Sequence, residues 1–296
     1  MFCRLGLLLL GLWVACWGYG ARNQARAELE RAPRVFLAAG WFTMGATLED
    51  VSFARKLCVS ERMPTAIGLR GCGSEELFSH ETPARRVYLK AYWLDRYEVA
   101  RAELRACVRE GGCSPPEYAV EHPGLTHDSH PATGMAWGGA GALCQHRGGR
   151  LPTEAQWERA ARGDSPRRFP WGGLYNEALA NHGGPGLSFD PSDGRPSSAD
   201  GFAFAAPVRA FEQAASPHGA VQMAGNVWEW TADHYAPLSA QTARVDPLQT
   251  LRSGPRVVRG GSFRAPAFTL RVTHREPRAE HRGFADVGVR CAYDAP

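Results

Sequence analysis

The 296-residue chain has no run of basic residues, no internal repeat and no low-complexity tract. Its 34 basic residues are scattered among 30 acidic ones, so the formal charge of +4 forms no run resembling a nucleic-acid or anionic-lipid patch, and no nucleic-acid partner is expected. Cys-x-x-Cys pairs are missing, which removes zinc and dithiol-redox readings of the cysteines. The Gly-x-Ser-x-Gly elbow is missing too, so Ser262 with His274 downstream does not read as a hydrolase nucleophile and base. Long periodic elements are absent between residues 163 and 217, a stretch of glycine, proline, serine and aspartate with interspersed aromatics. Such a segment orders only if disulfides, aromatic contacts or bound ions hold it.

What is present begins with an apolar run from Leu5 to Trp17 behind Arg4, followed by Gly18-Tyr19-Gly20. Residues 1–20 read as an export signal. Two alternatives stand beside it: a lipoprotein signal that presents Cys16 for lipidation, and an uncleaved anchor, the run being short for a membrane span. The protein is therefore expected outside the cytoplasm, periplasmic or secreted, with a membrane tether possible through this segment. An Ala/Arg/Glu-rich stretch, 21–33, reads as a linker to one domain over 34–296. Export favours three disulfides among the six remaining cysteines. Cys107 and Cys113 flank a short glycine-containing loop, Cys58 and Cys72 share an irregular insertion over 47–79, and Cys144 is left to Cys291.

Alternation predicts a strand over Arg86–Asp95, and helical spacing follows from Glu98 to Arg109. Asp95, Glu98 and Glu103 lie there at a strand end and on a helix, where they read as solvated or capping charge. Val35 to Gly45 reads as a hairpin, Trp137 to His146 as a helix and Thr47 to His80 as an inserted loop. Thr153 with Gln156 is a capping-box pair ahead of the helix formers Ala155 to Arg162. The densest window is His218-Gly-Ala-Val-Gln-Met-Ala-Gly-Asn-Val-Trp-Glu-Trp230, a tight turn feeding an aromatic core element. His122, His127, His130 and Asp128 are the densest imidazole group and a candidate metal site, although His130-Pro131 also suits a structural loop.

Seven motifs in order carry a family resemblance. They are Gly40–Gly45, Trp93-Leu-Asp-Arg-Tyr-Glu-Val99, His130-Pro-Ala-Thr-Gly134, Arg150-Leu-Pro-Thr-Glu-Ala-Gln-Trp-Glu158, Gly225-Asn-Val-Trp-Glu-Trp230, Arg256-Val-Val-Arg-Gly-Gly-Ser-Phe263 and Gly288-Val-Arg-Cys-Ala292. Together they resemble the formylglycine-generating enzyme, or sulfatase-modifying factor, family over about residues 34–292. The resemblance implies an irregular α+β domain, an elaborated C-type-lectin-like fold with little regular secondary structure, and a Cys144–Cys291 bridge. It also implies calcium. One set maps to the side chains of Asn181 and Asp200 with backbone oxygens of His182 and Phe202, and a second to Gln222 and Glu229 with backbone oxygens of Gly225 and Val227. Asp200 can equally close an Asx-turn, and Glu229 can be a core carboxylate satisfied by donors of the fold.

One departure bears on activity. In the family two cysteines, five residues apart just after Arg-Gly-Gly-Ser-Phe, bind copper and attack the substrate; here Ala265 and Leu270 stand in their places. A methyl and an isobutyl group replace neither a copper ligand nor an exchanging thiol. The sulfoxide synthases of the same family take iron histidines from an extra N-terminal helical domain, for which 21–33 leaves no room. No copper or iron is therefore expected. The resulting expectation is a binding module that uses the family's groove for an exported peptide or protein, with a metal-dependent modifying enzyme as the alternative.

Overall fold

Alternating side chains set the first layer. Val35 and Leu37 on β1 (Arg34–Leu37), Phe42 and Met44 on β2 (Gly40–Met44), Val87 and Leu89 on β3 (Arg85–Leu89), and Tyr92 and Leu94 on β4 (Tyr92–Asp95) all enter one apolar core. The structure is a computed structural model that describes residues 33–60, 72, 78–118, 123–183, 200–238 and 244–296. Residues 1–20 with Cys16, the linker up to residue 32, His122 and the rest of the insertion lie outside the described residues. β1 and β2 do not form the expected hairpin with each other. β1 pairs antiparallel with β4 and β2 with β3, so the single strand expected over 86–95 is divided at Lys90 and Ala91. β9 (Ala292–Asp294) pairs with β4 on its other edge.

Among the described residues, four helices of two turns or more follow from local chemistry. α1 (Leu48–Ser60) lies in the insertion expected to be a loop; it buries Ala54 and Cys58, one turn apart. α2 (Arg101–Arg109) begins where the Glu103 carboxylate accepts the Ala100 N–H at 2.8 Å, the capping role expected of this residue. α3 (Trp137–His146) has the expected bounds. α4 (Glu154–Arg162) is capped reciprocally: Thr153 Oγ1 accepts from Gln156 N at 3.2 Å and Gln156 Oε1 from Thr153 N at 3.0 Å.

Every residue of α4 is buried, including two glutamates and two arginines. Burying a lone charge costs several kcal/mol, so each must meet an opposite one. Glu154 meets Arg275 at 2.6 Å and Glu158 meets Arg259 at 2.5 Å. Those arginines come from the second sheet, in which β7 (Arg275–Arg278), β6 (Arg256–Arg259) and β5 (Trp228–His234) are antiparallel, and β8 (Val287–Gly288) joins β5 in parallel. Trp228 and Trp230 on β5 are buried, as their window implied. All three expected disulfides form, Cys58–Cys72, Cys107–Cys113 and Cys144–Cys291. The last ties α3 to the segment entering β9 across 147 residues, a closure worth about 4–5 kcal/mol on the chain-entropy account.

Candidate functional site

The turn before β5 brings the candidate residues together. Gln222, Gly225 and Asn226 all have positive φ, at 58°, 80° and 61°. A Cβ on Gly225 would lie 2.2 Å from the Asn181 carbonyl oxygen, so only glycine permits this approach. The approach lets Asn226 N donate to Asn181 O at 2.7 Å. The Asn226 side chain joins two more segments and returns to Asn181: its Oδ1 accepts from Ala206 N at 2.7 Å and from Asn181 Nδ2 at 3.2 Å, and its Nδ2 donates to Glu98 Oε2 at 2.7 Å.

Four of the expected calcium ligands lie around Asn181. Asn181 is fully buried; its Nδ2 also donates to Phe204 O at 2.8 Å, and its Oδ1 has no hydrogen-bond partner among the described residues. Asp200 accepts from His182 N at 3.1 Å and, closing an Asx-turn, from Phe202 N at 2.8 Å. The set suits a hard cation: a buried amide oxygen lacks a donor, and a carboxylate and an irregular backbone stand beside it.

The second set is arranged differently. Gln222 donates Nε2 to Pro207 O at 2.9 Å and leaves Oε1 buried without a partner. Glu229, however, accepts from Trp157 Nε1 at 2.7 Å and from Arg290 Nη2 at 2.7 Å, with Arg290 Nε at 3.0 Å. Its charge is already matched by a guanidinium that is itself fully buried. Glu98, by contrast, is a buried carboxylate with no guanidinium on it. Its Oε1 has no partner, and burial together with the nearby Glu229 carboxylate raises its pKa well above the ordinary range. Glu98 does not belong to the solvated charge expected for it: it is 2% exposed and faces Asn226 across 128 residues of sequence. The available signal was its place between the apolar Tyr97 and Val99. The oxygens lacking donors in this corner are thus those of Asn181, Gln222 and Glu98, whereas the oxygens of Glu229 are engaged by Trp157 and Arg290.

The other candidate groups do not assemble. His127 and His130 rings are 5.5 Å apart, but His127 Nδ1 is bonded to Ser129 Oγ and Asp128 pairs with Arg105; no cluster of three ligating side chains occurs among the described residues. Ser262 Oγ donates to Asp286 Oδ2 at 3.0 Å. His274 sits in the core, between Glu81 at 3.1 Å and Glu276 at 3.4 Å, and serves no nucleophile. Asp95 is buried on Arg147 at 2.6 Å.

The expected groove beside Ala265 and Leu270 is closed. Leu270 is fully buried and Ala265 nearly so. Phe53 and Leu57 of α1 pack with Leu270 and Phe169, while the Cys58–Cys72 disulfide and Phe78 cover Phe268. Arg168 clamps α1 through Glu49 at 2.7 Å and Asp50 at 3.0 Å. Open space remains next to this plug, in a concavity of about 680 Å³ lined by Trp171, Leu174, Tyr175, Asn176 and Glu177. Trp171 stacks on Phe169, and Tyr175 bonds His182 Nε2 at 2.8 Å.

The sequence profile of the sulfatase-modifying factor enzyme 1-like domain matches residues 21–295. The formylglycine-generating enzyme of Bos taurus is 28% identical over 260 residues, 72% of this chain and 68% of that protein. The hercynine oxygenase of Mycolicibacterium thermoresistibile is 30% identical over 270 residues, 78% of this chain and 57% of that protein. Among solved structures, PvdO from Pseudomonas aeruginosa aligns with a TM-score of 0.66 at 22% identity, over 88% of this chain and 94% of that one. The Treponema denticola variable protein 1 aligns at 0.62 and 19% identity, over 88% and 95%. The fold is accordingly the C-type-lectin-like one that the motifs implied.

Proposed function

The chain belongs to the sulfatase-modifying factor family, and from that premise we propose that it is an exported, calcium-stabilised member that binds a peptide or protein partner and lacks the family's copper-dependent oxidation. The observation that carries this reading is the buried pair Ala265 and Leu270, two apolar side chains, Leu270 under α1 and Ala265 in the core around Trp228 and Trp230, where the oxidase needs two accessible thiols. Asn181, Asp200, Gln222 and Glu98 would hold calcium, whose charge would offset that of the buried Glu98 and give the unpartnered oxygens a ligand. With the groove filled, the partner surface falls to the concavity formed by residues 171–177 and to the insertion beside it. The Leu5–Trp17 run supports export, with Cys16 or the run itself as a possible tether.

A second reading, a metal-dependent modifying enzyme acting on an exported protein or small molecule, is favoured by the likeness to hercynine oxygenase. One experiment separates the two: metal analysis of the purified protein together with its incubation with a cysteine-containing sulfatase peptide. Calcium without turnover is the expected result. Stoichiometric copper or iron, or conversion of the peptide, overturns the binding-module reading.

A further inference from the structure

The sides of the β1–β4 and β2–β3 pairs that face away from the first core carry exposed aromatic and basic residues, although Trp93 and Tyr293 there pack in part against the second core. Because Val35, Leu37, Phe42, Val87, Leu89 and Leu94 take the core side of their strands, the alternate positions face away from it. Phe36 stands opposite Trp93 with ring centroids 5.0 Å apart, and Trp41 opposite Tyr88 at 5.4 Å. Phe36 and Trp41 are each 48% exposed, unusual for side chains of this size. Exposed basic residues rim them: Arg34 over the Tyr293 ring, Arg86 beside Trp41, and Lys90 and Arg244 at the β3 edge. Asp246, the acid of this edge, is engaged by Lys90 at 3.7 Å.

We propose that this face, centred on Phe36 and Trp41, docks on an anionic lipid surface. Amphipathic aromatic rings settle at the headgroup level, and arginine and lysine around them add attraction to anionic headgroups. A protein partner of matching shape would need a complementary acidic surface; a bilayer needs only the mixture of rings and cations found here. The position in the sequence agrees: β1 opens at Arg34, 17 residues after the apolar run ends at Trp17, so a chain held at a membrane by that run keeps this face within reach of it. The inference is independent of the calcium corner and the closed groove, and neither enters its test.

The apolar run would itself hold the full chain on vesicles, so the measurement reads Trp41 rather than total binding. Full-length protein is mixed with vesicles carrying brominated acyl chains, made of phosphatidylglycerol or of phosphatidylcholine alone, and tryptophan quenching is compared with that of Trp41→Phe. Wild type should show extra quenching on phosphatidylglycerol that Trp41→Phe lacks, and Arg34→Glu/Arg86→Glu should lower the apparent affinity of that extra component about tenfold. Equal quenching of wild type and Trp41→Phe on bound protein overturns the proposal. So does a concentration-dependent dimer that Phe36→Ser/Trp41→Ser converts to monomer, because a second copy would then occupy the face. Both aromatic sites are half exposed, and unchanged melting of the variants checks that they fold.

Discussion

The four arginine-matched glutamates of the core and the single glutamate of the Asn226 corner are equally buried and differently treated. Glu81 lies on Arg271 at 2.6 Å, Glu154 on Arg275 at 2.6 Å, Glu158 on Arg259 at 2.5 Å and Glu229 on Arg290 at 2.7 Å. Glu98, the fifth buried glutamate among the described residues, has the neutral amide of Asn226 and an oxygen left over. The physical consequence is opposite in the two regions. Burial raises Glu81 as it does any carboxylate, yet Arg271 and His274 pull its pKa well below the ordinary range, whereas burial and Glu229 carry Glu98 well above it. A fold that neutralises four of its five buried glutamates from its own chain leaves the fifth, Glu98, in a corner with two further unpartnered oxygens, where a cation from outside has a place to act.

Glu229→Ala tests the contrast most strongly. It leaves Arg290 buried without its carboxylate and removes the acceptor of Trp157 Nε1, a loss of about 3–5 kcal/mol expected for breaking a buried pair. Urea unfolding should show the same loss with calcium and with chelator. A loss confined to calcium-containing buffer would return Glu229 to the ligand role and remove Glu98 from it.

Chelation comes next in size. If calcium is bound with a free concentration about 100 times its dissociation constant, removing it costs about 2.7 kcal/mol by mass action, read as a lower unfolding midpoint. Glu98→Gln and Asn181→Ala should each shrink the gap between calcium and chelator. In chelator Glu98→Gln should match or exceed wild type, because it removes an unpartnered acid and keeps a hydrogen-bonding end. Variants that retain the full gap would detach calcium from this corner.

The same contrast explains what the sequence did and did not disclose. Local chemistry was legible: the Thr153–Gln156 cap, the turn at Gly225 and Asn226, the inward tryptophans and the three disulfides depend on near neighbours or on cysteine arithmetic. Partnerships across long separations were not. Glu229 meets Arg290 61 residues on, and Glu98 meets Asn226 across 128, so nothing local distinguished the matched carboxylate from the unmatched one. α1 was missed for another reason: its apolar positions Phe53, Ala54, Leu57 and Cys58 do recur at helical spacing, but the glycines and polar residues around residue 70 made the whole insertion read as a loop.

The smallest expected effect separates the two regions by pH. Burial works against a charged His274, but its bonds to Glu276 and Glu81 outweigh that and raise its pKa, while the same contacts hold Glu276 down to about 2 against burial. A histidine raised on folding contributes stability that is complete below its ordinary value of about 6.5 and is lost as pH climbs through the raised one. Asp233 adds to the trend: burial and the neighbouring Glu154 push it up to about 7, so the advantage of its protonated form disappears between about pH 4 and 7. The depressed glutamates act on the other side, their contribution fading as pH falls below about 4.5. Stability should therefore peak near pH 4.5 to 5 and decline above it. His274→Gln, which keeps one hydrogen bond and cannot titrate, should flatten the decline above pH 7 in urea titrations run with chelator. A decline that persists unchanged in this variant would mean that the matched core holds its charges without help from His274, and that the fall in stability arises elsewhere.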